Sequence, residues 1–386
     1  MKVLINALSA RQGGGQTYLH NLLQFPPAGN AAEILVLAPE SLQLPQAPNI
    51  TRVRTNWPLE NPYVRAVWEK VRLAPLAREL GADILFCPGG VVGARAPVGC
   101  KTVTMFRNMI PFDLVQRKRY PLGSQRVRNW ILEKIMLQSM LRADLVIFIS
   151  EFAHRVIEDR APGRLPASVT IPHGINSHFR VNPDSPDSPD SALPRPAWLP
   201  VENYLLYVST LDFYKAQFEV VRGFALLRQK RETNEKLILA GPENPAYARR
   251  VRAEIARLGL INDVVISGPI PYRELPAVYH HALINIFASE SENCPNILLE
   301  ALAVGRPILC SNRPPMPEFG ADAVLYFDPA SPEQLAEQLL GLIDNSQIQA
   351  QLAAKASVRA QNYDWANTSR LTWEAITRLH EQKGRE

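Results

Sequence analysis

Short, almost wholly apolar runs recur along this chain, and each gives way to a polar or glycine-containing turn. In the first half they lie at 3–7, 33–38, 82–87, 101–106 and 144–150. In the second they lie at 204–209, 235–240, 263–267, 282–288 and 306–311. Each has strand length, and too little polar alternation for one face to meet water. Longer stretches with helical spacing intervene at 63–80, 218–229, 246–258 and 274–282. Two more, at 347–363 and 364–382, close the chain. Strands buried on both faces and alternating with helices require a parallel sheet covered on both sides. Ligands of such sheets gather beyond the carboxyl ends of the strands.

The two series are separated by 181–200, VNPDSPDSPDSALPRPAWLP, whose Pro density and D-S-P repeats cannot build a core. The expected organisation is a first α/β domain at 1–180, this linker, a second α/β domain at 201–363 and a C-terminal helix at 364–386. A length of 386 residues suits two domains. Apolar residues at 46% and charged residues at 20% fit a globular protein. No window approaches twenty uninterrupted apolar residues, and no cleavable signal is visible, so a cytoplasmic location is expected. Cys87, Cys100, Cys294 and Cys310 form no C-x-x-C pair and read as reduced, buried thiols.

Candidate chemistry concentrates at 289–305, SESENCPNILLEALAVG. It comes directly after the apolar run at 282–288, and Pro295 is placed at the first helical position. Ile297, Leu298, Ala301 and Leu302 then recur at helical spacing. The backbone N–H groups of Asn296, Ile297 and Leu298 would face an anion beyond the strand end. Glu292 and Glu300, eight residues apart, would accept from hydroxyls on the same ligand. Lys215, in the turn STLDFYKAQ, would neutralise a diphosphate; the alternative is a plain surface lysine. Gly241-Pro242 and Gly268-Pro269-Ile270 end two further strands with bare backbone that suits a flat base. In the first half, Gly13, Gly14 and Gly15 make neither G-x-G-x-x-G nor a Walker loop. On spacing alone a flexible turn and a ligand contact are equally supported. Pro88-Gly89-Gly90 and the stretch from Arg107 and Asn108 to Phe112 also occupy strand ends. His173, in TIPHGI, reads equally as a contact or a plain turn residue. No D-x-D occurs, so no metal ligands are named.

The pattern E-x(7)-E around N-C-P-N-I-L-L-E-A-L-A resembles the family 4 glycosyltransferases. The resemblance implies the GT-B fold: two Rossmann-like α/β domains facing across a cleft, with C-terminal helices closing the structure and the last crossing back to the first domain. It implies a retaining, metal-independent transfer of a sugar to a glycan or lipid-linked glycan acceptor, as in polysaccharide biosynthesis. The donor is a nucleotide-diphosphate sugar, and no further cofactor is implied. By resemblance, Glu300 holds the ribose and Glu292 lies near the donor sugar. The backbone of Cys294, Pro295, Asn296 and Ile297 holds sugar and phosphate. Gly241, Gly268 and Ile270 border the nucleoside, and the Gly13–Gly15 turn faces the cleft. Two positions depart from the family. Ser209-Thr210 stands where an arginine is expected beside Lys215, leaving Lys215 and the helix N-terminus to hold the diphosphate unless another arginine reaches in. Arg107 and Asn108 stand where many members have a histidine. Arg107 would hold an acceptor or donor phosphate and Asn108 a sugar hydroxyl; a salt bridge for Arg107 and a turn cap for Asn108 are equally supported. A nucleotide-sugar epimerase of the same fold and a non-catalytic binding protein for a phosphorylated ligand are the competing readings.

The net charge of +5 is uneven. Residues 1–180 hold 22 basic against 12 acidic side chains, and residues 181–386 hold 20 against 25. The excess gathers between Arg95 and Arg142. No nucleic-acid-reading motif accompanies it. A helix is expected at 124–141, with Val127, Trp130, Ile131, Ile135 and Met140 packed on the sheet and Arg126, Arg128 and Lys134 in water. With Arg117-Lys118-Arg119 just before it, this predicts peripheral binding to the anionic inner face of the cell membrane.

Overall fold

The computed structural model describes residues 1–11, 13–27, 32–120, 123–180 and 193–383. Of the candidate linker, 181–192 lie outside the described residues. The chain divides into two compact units. One comprises Met1–Arg117, Pro121–Gly174 and Asp364–Glu386, the other Lys118–Tyr120 and Ile175–Tyr363.

The first unit holds strands β1 (Lys2–Asn6), β2 (Glu33–Leu37), β3 (Ile50–Arg52), β4 (Ile84–Cys87), β5 (Lys101–Phe106), β6 (Leu145–Phe148) and β7 (Ala167–Thr170). They form one parallel sheet in the order β3-β2-β1-β4-β5-β6-β7. The order reverses between β1 and β4, which opens a crevice beyond their carboxyl ends. Its helices are α1 (Gly14–Gln24), α2 (Pro62–Glu79), α3 (Leu114–Arg119), α4 (Ser124–Arg142) and α5 (Glu151–Arg160). Pro62 opens α2 with its N–H-free ring while Asn61 accepts from Tyr63 N at 2.9 Å. Ser150 caps α5 by accepting from Ala153 N at 3.1 Å.

The second unit holds β8 (Tyr204–Val208), β9 (Lys236–Ala240), β10 (Val264–Gly268), β11 (Ile284–Phe287), β12 (Ile308–Ser311) and β13 (Leu325–Phe327). Their order is β10-β9-β8-β11-β12-β13, again all parallel, with the reversal between β8 and β11. Its helices are α6 (Gln217–Lys230), α7 (Pro245–Arg257), α8 (Leu275–His280), α9 (Asn296–Val304), α10 (Met316–Gly320), α11 (Pro332–Ile343) and α12 (Ser346–Ala360). A last helix, α13 (Trp365–Lys383), returns to the first unit. There Ser369 Oγ donates to Leu22 O at 3.1 Å and Phe25 O at 2.8 Å, and Trp373 is buried. Two Rossmann-like α/β units are thus present. The edge strands β3 and β13 were not expected: β3 is only Ile50–Arg52 and leaves no apolar run to read, while the run at 323–327, AVLYF, that holds β13 was passed over.

Helix α4 corrects an expectation. Val127, Trp130, Ile131 and Ile135 are 57%, 53%, 43% and 40% exposed, while Asn129 and Glu133 are 7% and 8% exposed. The helix lies with much of its apolar surface outward. Glu133 explains the orientation: Arg117 Nη1 donates to it at 2.6 Å and Arg160 pairs with its other oxygen. Those guanidinium groups also donate to Pro111 O at 3.1 Å and Phe112 O at 3.0 Å. A buried carboxylate needs such partners, and they come from elements beneath the helix. Glu133→Ala is expected to cost about 2 kcal/mol, discounted because Arg160 keeps a third of its side chain in water. Denaturant unfolding, with the midpoint lowered at constant slope, checks it.

Candidate functional site

In the second unit the reversal point is framed by the turn after β8 and the loop after β11. Beyond β11 the chain runs through Ser289–Asn293 into α9, whose first helical residue is Asn296. Pro295 sits one residue earlier than expected, at the N-cap. Beyond β8, Asp212 accepts from Phe213 N at 2.8 Å and starts the tight turn Phe213–Lys215. Tyr207 OH donates to Lys215 O at 2.7 Å and fixes that turn on the sheet. Lys215 is consequently 6% exposed, not a surface lysine. Its Nζ pairs with Glu292 Oε1 and lies 4.8 Å from the Tyr214 ring centroid. A buried ammonium and a half-buried carboxylate thus sit side by side at the strand ends.

Gly241 and Gly268 adjoin through Gly241 N to Gly268 O at 2.9 Å. Gly241 has φ 144°, and a Cβ there would fall 2.2 Å from Ser209 O, so only glycine fits. Ser209, Gly241 and Gly268 therefore form a row of bare backbone along three strand ends. Ile270 packs beyond it, half-buried against the core, as do Cys294 and Ile297. Glu300, on α9, accepts from Tyr272 OH at 2.9 Å, and Asn176 Nδ2 donates to that hydroxyl at 2.9 Å. Burial raises the Glu300 pKa to about 7, with the Tyr272 hydrogen bond opposing the rise.

Two neighbours of this site went unnoticed in the sequence. Tyr272 lies in a stretch with no distinguishing pattern. Arg119, grouped with the second unit, donates to Phe213 O at 3.3 Å and makes a two-pronged contact with Glu290, 2.8 Å on one prong. An arginine therefore stands against the turn that carries Lys215. Arg117 and Arg119 are both held in ion pairs, so the Arg117-Lys118-Arg119 triplet is not an open basic patch.

In the first unit, the crevice at the β1/β4 reversal is a cleft of ≈ 630 Å³. β1 ends in it with Asn6, β4 with Pro88 and Gly89, and β5 with Arg107 and Asn108. α2 contributes Arg65 and Glu69, and α4 contributes Arg128. Asn6 Nδ2 donates to the buried Glu69 Oε1 at 3.1 Å. Arg107 lies over the Tyr18 ring at 5.4 Å, and its Nη1 is 3.7 Å from where a Gly15 Cβ would stand. Of the three glycines, Gly15 lines the cleft. Gly13, at φ 61°, supplies the left-handed turn before α1, and Gly14 opens the helix. His173 does not line it. That ring is buried between Tyr18 at 5.6 Å and Trp365 at 5.3 Å.

Two family models tile the chain: Glycosyltransferase Family 4 matches residues 12–179, and Glycosyl transferases group 1 matches residues 195–359. The O-antigen chain mannosyltransferase B of Escherichia coli is 24% identical over 254 residues, 64% of this chain and 64% of that protein. The serotype-specific mannosyltransferase WbdA of the same organism is 26% identical over 283 residues, 72% of this chain and 34% of WbdA. The chain therefore spans less than two thirds of the length of these relatives. Among solved structures, Anabaena HepE in complex with UDP-glucose superposes with a TM-score of 0.72 at 19% identity, over 98% of this chain and 99% of that one. With both halves matched and both sheets of the expected parallel kind, the chain belongs to the family 4-like glycosyltransferases of the GT-B fold.

Proposed function

We propose that this chain is a retaining, metal-independent glycosyltransferase that moves a sugar from a nucleotide-diphosphate donor to a glycan acceptor. The observation that carries the reading is the pair of buried Lys215 and half-buried Glu292 beside the N-terminus of α9, at the β8/β11 reversal. A diphosphate placed there would draw Lys215 Nζ from Glu292 and accept from the first N–H groups of α9. The row Ser209, Gly241 and Gly268 suits the flat base, and Glu300 the ribose hydroxyls. The acceptor oxygen would then attack the anomeric carbon from the face the phosphate leaves, its proton passing to the departing phosphate oxygen. The mannosyl-transferring relatives and the UDP-glucose complex of HepE support the donor class. Incubation with a panel of nucleotide sugars tests it, with and without a chelator. Release of nucleoside diphosphate with retained anomeric configuration is expected. An inverted product would sink the retaining mechanism, and an epimerised donor would replace transfer by epimerisation.

No helix among the described residues is long and apolar enough to cross a membrane. Attachment to an anionic membrane surface is proposed instead through α4, where Val127, Trp130 and Ile131 stand in water among Arg126, Arg128 and Lys134. Trp130→Ser with Ile131→Ser is expected to weaken sedimentation with anionic vesicles about tenfold. Wild-type protein that stays in the supernatant at low salt would end the membrane reading.

A further inference from the structure

We propose that Asn176 and Tyr272 are positioning residues that hold Glu300 to read a vicinal diol, so that the donor is a ribonucleotide sugar and not its 2′-deoxy counterpart. This deepens the transferase reading and rests on the assignment of Glu300 to the ribose.

Tyr272 is placed by the backbone before it. Gly268 ends β10 at φ 72°, and Pro271, at φ −54°, leads into the tight turn Tyr272–Glu274. Glu274 N closes that turn on Pro271 O at 2.8 Å. The phenol ring then meets His178 and Phe179 edge to face, at 5.0 and 5.3 Å, both from the turn Ser177–Phe179. Tyr272 is still 43% exposed, yet its hydroxyl is engaged twice within the second unit. It accepts from Asn176 Nδ2 at 2.9 Å, which leaves the phenol proton to be donated to Glu300 Oε1, also at 2.9 Å. The amide thus fixes the direction of the chain Asn176–Tyr272–Glu300.

An ionised carboxylate offers about four acceptor positions, and Tyr272 fills one. Among the described residues Glu300 takes no other hydrogen bond and no ion pair. A ribose brings two neighbouring O–H donors to it, whereas a 2′-deoxyribose brings one and leaves the acceptor short. With one oxygen held by Tyr272, the carboxylate cannot swing about its last torsion to make up the difference. The titratable groups facing Glu300 are Tyr272 and, from α8, Tyr279. Burial holds both phenols well above their ordinary range, and the Glu300 charge adds to the rise, so both keep their protons at pH 9. His178, on the Tyr272 ring, has its pKa lowered by burial. Of the other helices packed on α9, α12 pairs Lys355 with Asp322 and Arg359 with Tyr363 OH at 3.0 Å, and α10 carries Glu318 near Tyr363.

Calorimetric titration of the full chain tests this with UDP, GDP, ADP and CDP, each beside its 2′-deoxy form, at pH 7 and pH 9. The tightest ribonucleotide should bind about tenfold more strongly than its 2′-deoxy form. Tyr272→Phe should weaken that ribonucleotide about tenfold at pH 7 and remove most of the preference over the deoxy form. At pH 9, well above the Glu300 pKa of about 7, a loss of about threefold should persist, because the orientation is still missing. Asn176→Ala should act in the same direction by less. A deficit confined to pH 7 overturns the proposal, since Tyr272 would then only adjust ionisation. Tighter binding in Tyr272→Phe also overturns it, because the phenol would then compete with ribose. So does an unchanged ribonucleotide preference. Unaltered affinity in Glu300→Gln, or binding of none of the four, would remove the ribose assignment and this proposal with it. A loss in Glu300→Gln with none in Tyr272→Phe removes this proposal alone. Failure of every nucleotide sugar to react would remove the transferase reading without altering these titrations.

Discussion

Lys215→Ala is expected to lower turnover by about 100- to 1000-fold, the range for losing a group that meets charge developing in the transition state. Lys215 is buried on the Tyr207 and Phe287 side of the turn, where its charge is little screened by water. Two effects have to be separated. The substitution removes the cation from the diphosphate, and it also leaves the half-buried carboxylate of Glu292 without its partner. The double variant Lys215→Ala, Glu292→Gln relieves the second effect only. Turnover should remain low in both variants, while thermal stability recovers in the double one. Affinity for the nucleoside alone should hardly change. Full activity of Lys215→Ala would transfer the role to another cation, and Arg119, on the carbonyl of Phe213, is an arginine to examine.

Glu300→Gln is expected to weaken binding of the nucleoside diphosphate by about 100-fold if two charge-assisted hydrogen bonds to ribose are lost. The pKa of Glu300, raised by burial from 4.5 to about 7, adds a pH signature. The ribose needs the anion as acceptor, so wild-type affinity should rise between about pH 6 and 8, and the Gln variant should show no such rise. Stability runs the other way. Between pH 4.5 and about 7 the folded protein holds a proton that the unfolded chain has released. The stability from that proton is present below 4.5 and lost as pH rises through about 7. At pH 8 the Gln variant should therefore be more stable than the wild type while binding donor less well. Calorimetry and denaturant unfolding at three pH values check both. Equal affinity in a folded variant would sink the ribose assignment.

The parallel sheets were legible because their central strands are buried on both faces and leave continuous apolar runs. The strand–loop–helix unit at 289–305 was legible for the same reason, joined to two carboxylates at fixed spacing. The features that escaped reading depend on partners remote in sequence. Helical spacing in α4 revealed an apolar stripe but not its direction. The direction is set by Glu133 meeting Arg117 and Arg160, which lie on other elements. Tyr272 reaches Glu300 from 28 positions away, and Arg119 reaches Glu290 from 171. Local periodicity carries no signal for such pairs.

The placement of α13 has a consequence for how the protein is made. This helix covers α1, where Tyr18, Leu19 and Leu22 are buried, yet it is translated after the whole of the second unit. At ordinary elongation speeds the ribosome spends roughly 10–40 s between Gly174 and Asp364. Throughout that interval the side of α1 that α13 covers lacks this partner. The second unit, nearly contiguous, can complete its core meanwhile. Emergence of Trp365 and Trp373 from the exit tunnel, rather than completion of the first sheet, then sets the moment at which the first unit is complete.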